Sequence, residues 1–339
     1  MMPQLLSALL IISAIAHTPA GFGAQASLYK KEPGPWTVES LKEEWTDATR
    51  ARQVPVKIYF PKTGTGPYPV IIFSHGLGGT RDGYEYLGHH WASHGYVSVH
   101  VQHLGSDSAV WQDTASPMKA MQQAAASLTN ALNRPLDVSF AIDQITRLNK
   151  AEGVLRNRLD LNRVGVAGHS FGAYTTLAAA GQVFGPTERG LGDERVKAAI
   201  AMSAPVPRAN AGRSYSRIRI PILHMTGTED YSPIGDTSPK DRRVPFDRIT
   251  GAAQFLVTFT GGDHMIFSGR SGLRGERKND ERFHDLIKMS STAFWDAYLK
   301  QDTEAKEWLA KGGFQAALGN DGVFEQKTGE AAAGERTVK

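Results

Sequence analysis

Short apolar runs alternate with longer amphipathic segments along most of the chain, and this alternation predicts an α/β protein. Seven runs of four to seven residues are rich in β-branched and aromatic side chains and are typical of strands: 54–60, 70–73, 97–101, 164–167, 198–202, 220–225 and 255–259. Six segments carry apolar residues at three- and four-residue spacing, as helices do: 84–93, 116–133, 135–148, 171–180, 279–299 and 303–311. The order predicts one domain, residues 27–325, with a mostly parallel central sheet and helices on both faces.

The two ends of the chain differ from this pattern. No Asp, Glu, Lys or Arg occurs before Lys30, and residues 5–16 form an apolar run that is shorter than the roughly 20 residues of a membrane-spanning helix. Ala24-Gln25-Ala26 then supplies an A-x-A pattern. We therefore expect a signal peptide, residues 1–26, cleaved after Ala26, and a secreted or periplasmic protein, with an uncleaved anchor as the alternative.

The C-terminal residues 326–339 are mostly polar or small and show no periodic pattern of apolar residues. We therefore expect this segment to be a flexible tail.

Composition narrows the function classes. The 339 residues include 38 basic and 34 acidic side chains, a net charge of +4, and the basic residues are scattered rather than clustered. A nucleic-acid partner is therefore not expected. The chain has no cysteine, which excludes thiol nucleophiles, disulfides and cysteine-ligated metals. His89, His90, His100 and His103 lack a companion set of carboxylates at metal-ligand spacing, so we expect no metal, and the chemistry considered below requires no cofactor.

A serine motif lies between the apolar run 164–167 and the helical segment 171–180. Gly168-His169-Ser170-Phe171-Gly172 matches G-x-S-x-G, the strand-to-helix turn that exposes a nucleophilic serine in a strained backbone. The flanking strand and helix patterns are the context that this motif requires. We predict that Ser170 is a nucleophile and that His169 shapes the turn.

A serine nucleophile needs a base and an acid to orient that base. His264 follows the strand 255–259, and Asp230 follows the strand 220–225, so the chain order is Ser, Asp, His. Because ligands and catalytic groups gather at the carboxyl edge of a parallel sheet, we expect these residues to meet there. Glu229 and Asp263 remain alternatives to Asp230 as the acid.

Two backbone N–H groups are needed to bind the oxyanion of an acyl-transfer intermediate. Phe171, directly after the nucleophile, is expected to supply one, and Leu77 in the glycine-rich segment Ser74-His75-Gly76-Leu77-Gly78-Gly79 the other. This segment lacks the G-K-[ST] ending of a phosphate-binding loop. Trp111, Tyr231 and Met265 lie in nearby loops and are candidate substrate-pocket residues.

The segments FSHGLGG (73–79), ASHGY (92–96), GHSFGA (168–173) and FWDAYLK (294–300) together resemble the α/β-hydrolase superfamily, most of all the group of plasma platelet-activating-factor acetylhydrolase and dienelactone-hydrolase-like esterases. The resemblance covers residues 54–309. It implies a serine carboxylic-ester hydrolase in which Ser170, His264, Leu77 and Phe171 occupy the matching motifs.

The chain departs from that group in two places. In the acetylhydrolase the acid follows the strand after the nucleophile helix, whereas here the corresponding strand ends in Ser203-Ala204-Pro205 without a carboxylate. Asp230 is therefore preferred as the acid. Dienelactone hydrolase uses cysteine, which this chain lacks. We expect hydrolysis of short-chain or phospholipid-type esters, with a secreted cutinase-like polyesterase and a catalytically inactive binding protein of the same fold as alternatives.

Overall fold

A nine-stranded sheet covered by helices forms the centre of this computed structural model, which describes residues 29–112, 114–185, 188–207, 211–269 and 277–329. The strands are β1 (Val38–Asp47), β2 (Arg52–Pro61), β3 (Tyr68–Ser74), β4 (Val97–Val101), β5 (Leu159–His169), β6 (Val183–Phe184), β7 (Arg189–Gly190), β8 (Val196–Met202), β9 (Ile222–Glu229), β10 (Gln254–Asp263) and β11 (Gly322–Lys327). The helices are α1 (Glu85–Ser93), α2 (Pro117–Ala126), α3 (Leu128–Leu148), α4 (Phe171–Ala179), α5 (Ala211–Ser214), α6 (Val244–Arg248), α7 (Asp280–Tyr298), α8 (Thr303–Ala310) and α9 (Gly313–Leu318).

The strand order in the sheet is β1-β2-β4-β3-β5-β8-β9-β10-β11, with β6 and β7 forming a separate two-stranded ribbon. The central strands from β4 to β10 pair in parallel, whereas β2 against β4, β1 against β2 and β11 against β10 are antiparallel. The predicted fold class, a mostly parallel sheet with helices on both faces, is confirmed. From β3 the chain continues to β4 on one side and later to β5 on the other, which creates a crevice at the carboxyl ends of β3 and β5.

Apolar side chains cover both faces of the sheet because the parallel strands are buried on both sides. One core cluster joins the sheet to α1 and α7, where Trp91 and Trp295 meet edge to face with ring centres 6.0 Å apart. The opposite cluster joins the sheet to α3 through Val138, Ile142 and Ile145. The carboxyl edge of the sheet is thereby held between two packed layers.

The predicted break between the helical segments 116–133 and 135–148 is wrong, and the actual break lies at Ser127. Ser127 has an extended backbone, and its hydroxyl accepts a hydrogen bond from the Asn130 N–H, so it ends α2 and caps α3. Pro135 lies inside α3 and cannot donate to the Ala131 carbonyl. That carbonyl accepts a hydrogen bond from the Tyr174 hydroxyl instead (3.2 Å), which lets the helix continue.

Two edge strands have no counterpart among the predicted runs. The sequence of β1, VESLKEEWTD, is mostly polar because the strand lies at an exposed edge of the sheet. At the other edge β11 pairs with β10, and Gln326 lies opposite Phe255. The predicted flexible tail from residue 326 is therefore corrected, since the folded domain extends through Lys327. The predicted signal peptide, residues 1–26, lies outside the described residues.

Over the described ranges, no helix has the length and apolar character that crossing a bilayer requires.

Candidate active site

Ser170 lies in the sharp turn between β5 and α4. Its backbone has φ 56° and ψ −117°, a region that non-glycine residues rarely adopt. The flanking glycines make the turn possible, because a Cβ on Gly168 would lie 2.3 Å from the Gly172 carbonyl oxygen and one on Gly172 would lie 1.9 Å from that of Ser74. The structure therefore has the strand, turn and helix that the G-x-S-x-G motif predicts.

His264 reaches Ser170 from the end of β10. It begins a short 3₁₀ helix, His264–Phe267, whose first turn is capped by the Asp263 carboxylate accepting the Met265 N–H. The imidazole Nε2 lies 3.0 Å from Ser170 Oγ, and Nδ1 lies 2.8 Å from Asp230 Oδ1. Because a carboxylate can only accept, Nδ1 carries the proton and Nε2 is left to accept from the serine.

The geometry distinguishes Asp230 from the two alternative carboxylates. Asp230 is fully buried, and its second oxygen accepts from the Thr226 hydroxyl at 2.9 Å. Glu229 and Asp263 both lie near the Arg277 guanidinium, at 3.2 and 3.4 Å, and neither forms a hydrogen bond with His264 in the described part of the chain. Of the three carboxylates, Asp230 is the one that hydrogen-bonds to His264 in the part of the chain that the structure describes.

Two polar residues that the sequence analysis did not single out complete this cluster. The Ser203 hydroxyl lies 2.7 Å from Asp230 Oδ1 and 2.7 Å from His264 Nδ1, and Ser203 has a positive φ of 57°. The buried Arg242 donates to the Ser203 carbonyl (2.8 Å) and the Asp230 carbonyl (3.2 Å), and its Nη2 lies 3.4 Å from Asp230 Oδ1. The sequence offers a signal for Ser203, because it directly follows the carboxyl end of β8, the edge where catalytic groups gather. Arg242 lies in the long polar segment between β9 and β10, and no motif in the sequence marks it as a site residue.

His169 packs against the catalytic histidine candidate. Its ring centre lies 4.7 Å from that of His264, and its Nδ1 lies 2.8 Å from the Tyr84 hydroxyl oxygen. Burial, together with the nearby His264 and Arg242, holds the pKa of His169 well below its usual range. The ring is thus a neutral packing group in the turn.

The predicted oxyanion donors lie on the two segments that flank the crevice. In the glycine-rich loop, the Gly78 N–H donates to the Ser106 carbonyl (2.9 Å) and the Gly79 N–H to the Gly76 carbonyl (3.1 Å). No acceptor among the described residues takes the Leu77 N–H. The Phe171 N–H belongs to the first turn of α4, where backbone donors have no partner within the helix.

Two clefts meet at Ser170. The first cleft, about 520 Å³, is lined by residues that include Tyr84, Trp111, Met121, His264 and Met265. The second cleft, about 480 Å³, is lined by residues that include Gln122, Phe171, Tyr174, Pro205 and Thr237. Leu77, Ser170, Pro233 and Ile234 line both clefts.

The structure corrects one of the three predicted pocket residues. Trp111 and Met265 line the first cleft, but Tyr231 lines neither cleft, and its side chain is 67% exposed. The chain turns after Asp230 so that Pro233 and Ile234 form the cleft wall instead. The sequence analysis missed three residues of the cleft wall, Met121, Pro233 and Ile234. The sequence does not show whether an apolar side chain in a loop or helix faces a cleft or the protein core.

Comparison with known proteins supports the resemblance inferred from the sequence. The family model PETase, described as PET hydrolase-like, matches residues 24–274. Platelet-activating factor acetylhydrolase of Cavia porcellus is 26% identical over 289 residues, 76% of this chain and 63% of that protein. Cutinase est2 of Thermobifida alba is 26% identical over 265 residues, 75% of this chain and 67% of that protein.

The chain spans 63% of the length of the guinea-pig acetylhydrolase and 59% of that of its Canis lupus familiaris counterpart. The predicted membership of the α/β-hydrolase serine-esterase group is confirmed by these matches and by the parallel sheet. Since the family model covers well over half of the chain, this protein belongs to the PETase, or PET hydrolase-like, family.

Proposed function

We propose that this chain is a serine carboxylic-ester hydrolase in which Ser170 is the nucleophile, His264 the general base and Asp230 the acid. The observation that carries the proposal is the continuous hydrogen-bond chain of 3.0 Å from Ser170 to His264 and 2.8 Å from His264 to Asp230. It is supported by the two clefts that meet at the serine, which give an ester access to the hydroxyl.

The reaction proceeds through an acyl-enzyme. His264 Nε2 accepts the Ser170 proton as Oγ attacks the ester carbonyl carbon, and the Leu77 and Phe171 N–H groups bind the oxyanion. His264 then returns the proton to the departing alcohol oxygen, leaving the acyl group on Ser170. His264 next activates a water molecule, whose attack releases the carboxylic acid and restores the serine. The chain supplies each of these groups, so the proposed reaction calls for no cofactor.

The proposed substrates are short-chain or phospholipid-type esters. Apolar side chains such as Trp111, Met121 and Met265 in the first cleft suit a hydrocarbon or acyl group. The acetylhydrolase relatives, named for a lipid ester, support the same substrate class.

A polyester is the second candidate substrate. Because both clefts meet at Ser170, groups on both sides of one ester bond can be held at once, as cleavage within a polymer requires. The PET hydrolase-like family and the cutinase relatives favour this candidate.

Turnover of p-nitrophenyl acetate, butyrate and octanoate by the purified chain starting at Ser27 tests the proposal. We expect Ser170→Ala to lower kcat by about 10⁶-fold. Ser232→Ala is the matched control, because Ser232 also lines the second cleft but its hydroxyl caps a turn at Gly235. An active Ser170→Ala protein, or a wild type that cleaves no ester, would overturn the proposal and favour an inactive binding protein. Release of soluble acid from a polyester film, compared with release of acetate from a 2-acetyl phospholipid, separates the two substrate classes.

The protein is proposed to be exported with residues 1–26 as its signal peptide. The uncharged apolar run and the A-x-A pattern support this assignment. N-terminal sequencing of the mature protein should give Ser27 as the first residue, whereas an intact N-terminus in the membrane fraction would favour an anchor.

A further inference from the structure

A fully buried arginine, Arg134 on α3, lies behind the two segments that carry the proposed oxyanion donors. Its Nε donates to Thr175 Oγ1 (2.9 Å), its Nη1 to Ser106 Oγ (2.9 Å), and its Nη2 to Ser74 Oγ (3.1 Å) and to the His75 carbonyl. All these partners are neutral, and among the described residues no carboxylate forms an ion pair with Arg134. Burial lowers its pKa to about 9, so it remains a cation at neutral pH. Asp137 lies near enough for its charge to favour the cation, but a buried charge without a directly contacting counterion is costly, so its position calls for an explanation.

The first segment that Arg134 holds is the glycine-rich loop. The His75 carbonyl, which accepts from Arg134, lies two residues before Leu77. Ser74 is fixed by a buried chain in which the His103 imidazole lies 2.9 Å from Ser74 Oγ on one side and 2.9 Å from Asp137 on the other. Because Asp137 accepts from His103 Nδ1, Nε2 accepts from the Ser74 hydroxyl, and the serine oxygen is left to accept from Arg134. The backbone leading to Leu77 is thereby held.

The second segment is the first turn of α4. Thr175 accepts from Arg134 and donates its own hydroxyl proton to the Phe171 carbonyl at 2.9 Å. The Arg134 guanidinium carbon also lies 4.6 Å from the centre of the Phe171 ring. One side chain therefore links the turn that presents the Phe171 N–H to the loop that presents the Leu77 N–H.

We propose that Arg134 is a positioning residue for the oxyanion hole: it fixes the spacing of the Leu77 and Phe171 donors and adds a positive charge behind them. Fixed dipoles and charges in a water-excluded site stabilise an oxyanion without reorganising during the reaction. The inference rests on the proposed esterase function.

Kinetics combined with a transition-state analogue test this role. A trifluoromethyl ketone forms a tetrahedral adduct with the serine that bears an oxyanion, whereas the matching secondary alcohol forms none. For Arg134→Met we expect kcat on p-nitrophenyl butyrate and the affinity for the ketone to fall together by about 100-fold, the scale of one lost oxyanion donor. KM and the affinity for the alcohol should stay near their wild-type values. Arg134→Lys keeps the charge and should restore part of the loss.

Two further variants, Thr175→Val and Ser106→Ala, keep Arg134 but each remove one hydrogen bond that its guanidinium donates. They test the positioning role of Arg134 even if the Arg134 variants do not fold. We expect Thr175→Val to lower kcat and ketone affinity by about 10-fold, equivalent to about 1.4 kcal/mol. Arg147→Met, an exposed arginine on the same helix, is the control and should match the wild type.

Folded variants, shown by an unchanged Tm, that retain wild-type kcat and ketone affinity would overturn the role of Arg134. A fall in kcat without a matching loss of ketone affinity would also overturn it, because the damage would then lie outside the oxyanion hole. A wild-type protein that cleaves no ester would instead overturn the proposed function, and this inference with it.

Discussion

Two hydrogen-bond chains, each formed by a serine, a histidine and an aspartate side chain, occur in this molecule with nearly the same hydrogen-bond distances. Ser170, His264 and Asp230 are joined at 3.0 and 2.8 Å, and Ser74, His103 and Asp137 at 2.9 and 2.9 Å. Hydrogen-bond geometry alone therefore does not identify a reactive serine. The difference lies in what surrounds each chain.

The serine of the first chain has a strained backbone and faces two clefts. In the second hydrogen-bond chain, the side chains of Ser74, His103 and Asp137 are all buried. The Ser74 hydroxyl oxygen accepts a hydrogen bond from Arg134. Burial, reinforced by the Arg134 cation and only partly opposed by Asp137, lowers the pKa of His103 to about 3. A histidine with that pKa is a poor proton acceptor, so the second chain fits a structural role.

The two aspartates also have different partners. Asp137 accepts from Arg50 at 2.8 Å and from Arg52 at 2.8 and 2.9 Å. Although burial raises the pKa of Asp137, the hydrogen bonds from His103 and Arg52 lower it to about 2. Asp230 has one arginine at 3.4 Å and directs its first oxygen to His264. The same residue type thus anchors a structural ion-pair network in one place and hydrogen-bonds to the proposed general base in the other.

The strongest test exchanges each aspartate for asparagine. Asp230→Asn should lower kcat by about 10⁴-fold, because the amide no longer holds His264 in the required tautomer. Asp137→Asn should instead lower the free energy of unfolding by about 3–5 kcal/mol, since Arg50 and Arg52 lose a buried counterion. Ester kinetics and urea unfolding of both variants provide the measurements. If Asp137→Asn abolishes ester turnover but leaves the free energy of unfolding at its wild-type value, the structural role of Asp137 is wrong.

A smaller effect is expected from moving the acid to the end of β8. Ser203 Oγ lies 2.7 Å from His264 Nδ1, and aspartate tolerates the positive φ at this position better than most residues. In the Asp230→Asn background, Ser203→Asp should raise kcat by about 10-fold, or about 1.4 kcal/mol. Ser203→Asn in the same background is the control with equal size and no charge. Equal activity of the two double variants would show that position 203 cannot supply the acid.

The last test concerns acid stability rather than catalysis. In the unfolded chain His103 binds a proton near its ordinary pKa of about 6.5, but in the folded protein its pKa is about 3. The unfolded state therefore holds more protons between these values, and stability falls as the pH decreases through this window. His103→Gln should reduce the pH slope of the unfolding free energy by about 1.4 kcal/mol per unit between pH 6 and 4.5. Urea unfolding at several pH values measures the slope, and an unchanged slope would indicate that His103 is charged in the folded protein.

Much of the fold was predictable because its central strands are buried on both faces and read as apolar runs. The edge strands β1 and β11 were missed since strands at a sheet edge carry polar side chains. The sequence predicted a helix break just before Pro135, but α3 continues through this residue. The carbonyl that Pro135 leaves without a helical donor accepts from Tyr174, a residue far away in sequence. Tertiary contacts can thus override a local helix-breaking signal.

The sequence by itself determined the serine turn and favoured Asp230 over Glu229 and Asp263 as the acid, since motif and chain order follow from local residue types. Only the tertiary structure showed which carboxylate contacts His264, brought Ser203 and Arg242 against Asp230, and replaced Tyr231 with Pro233 and Ile234 at the cleft. It also separated two similar hydrogen-bond chains into a buried one and one that faces the clefts. Burial and long-range contacts decide these points, and both depend on residues that meet only when the strands assemble into the sheet.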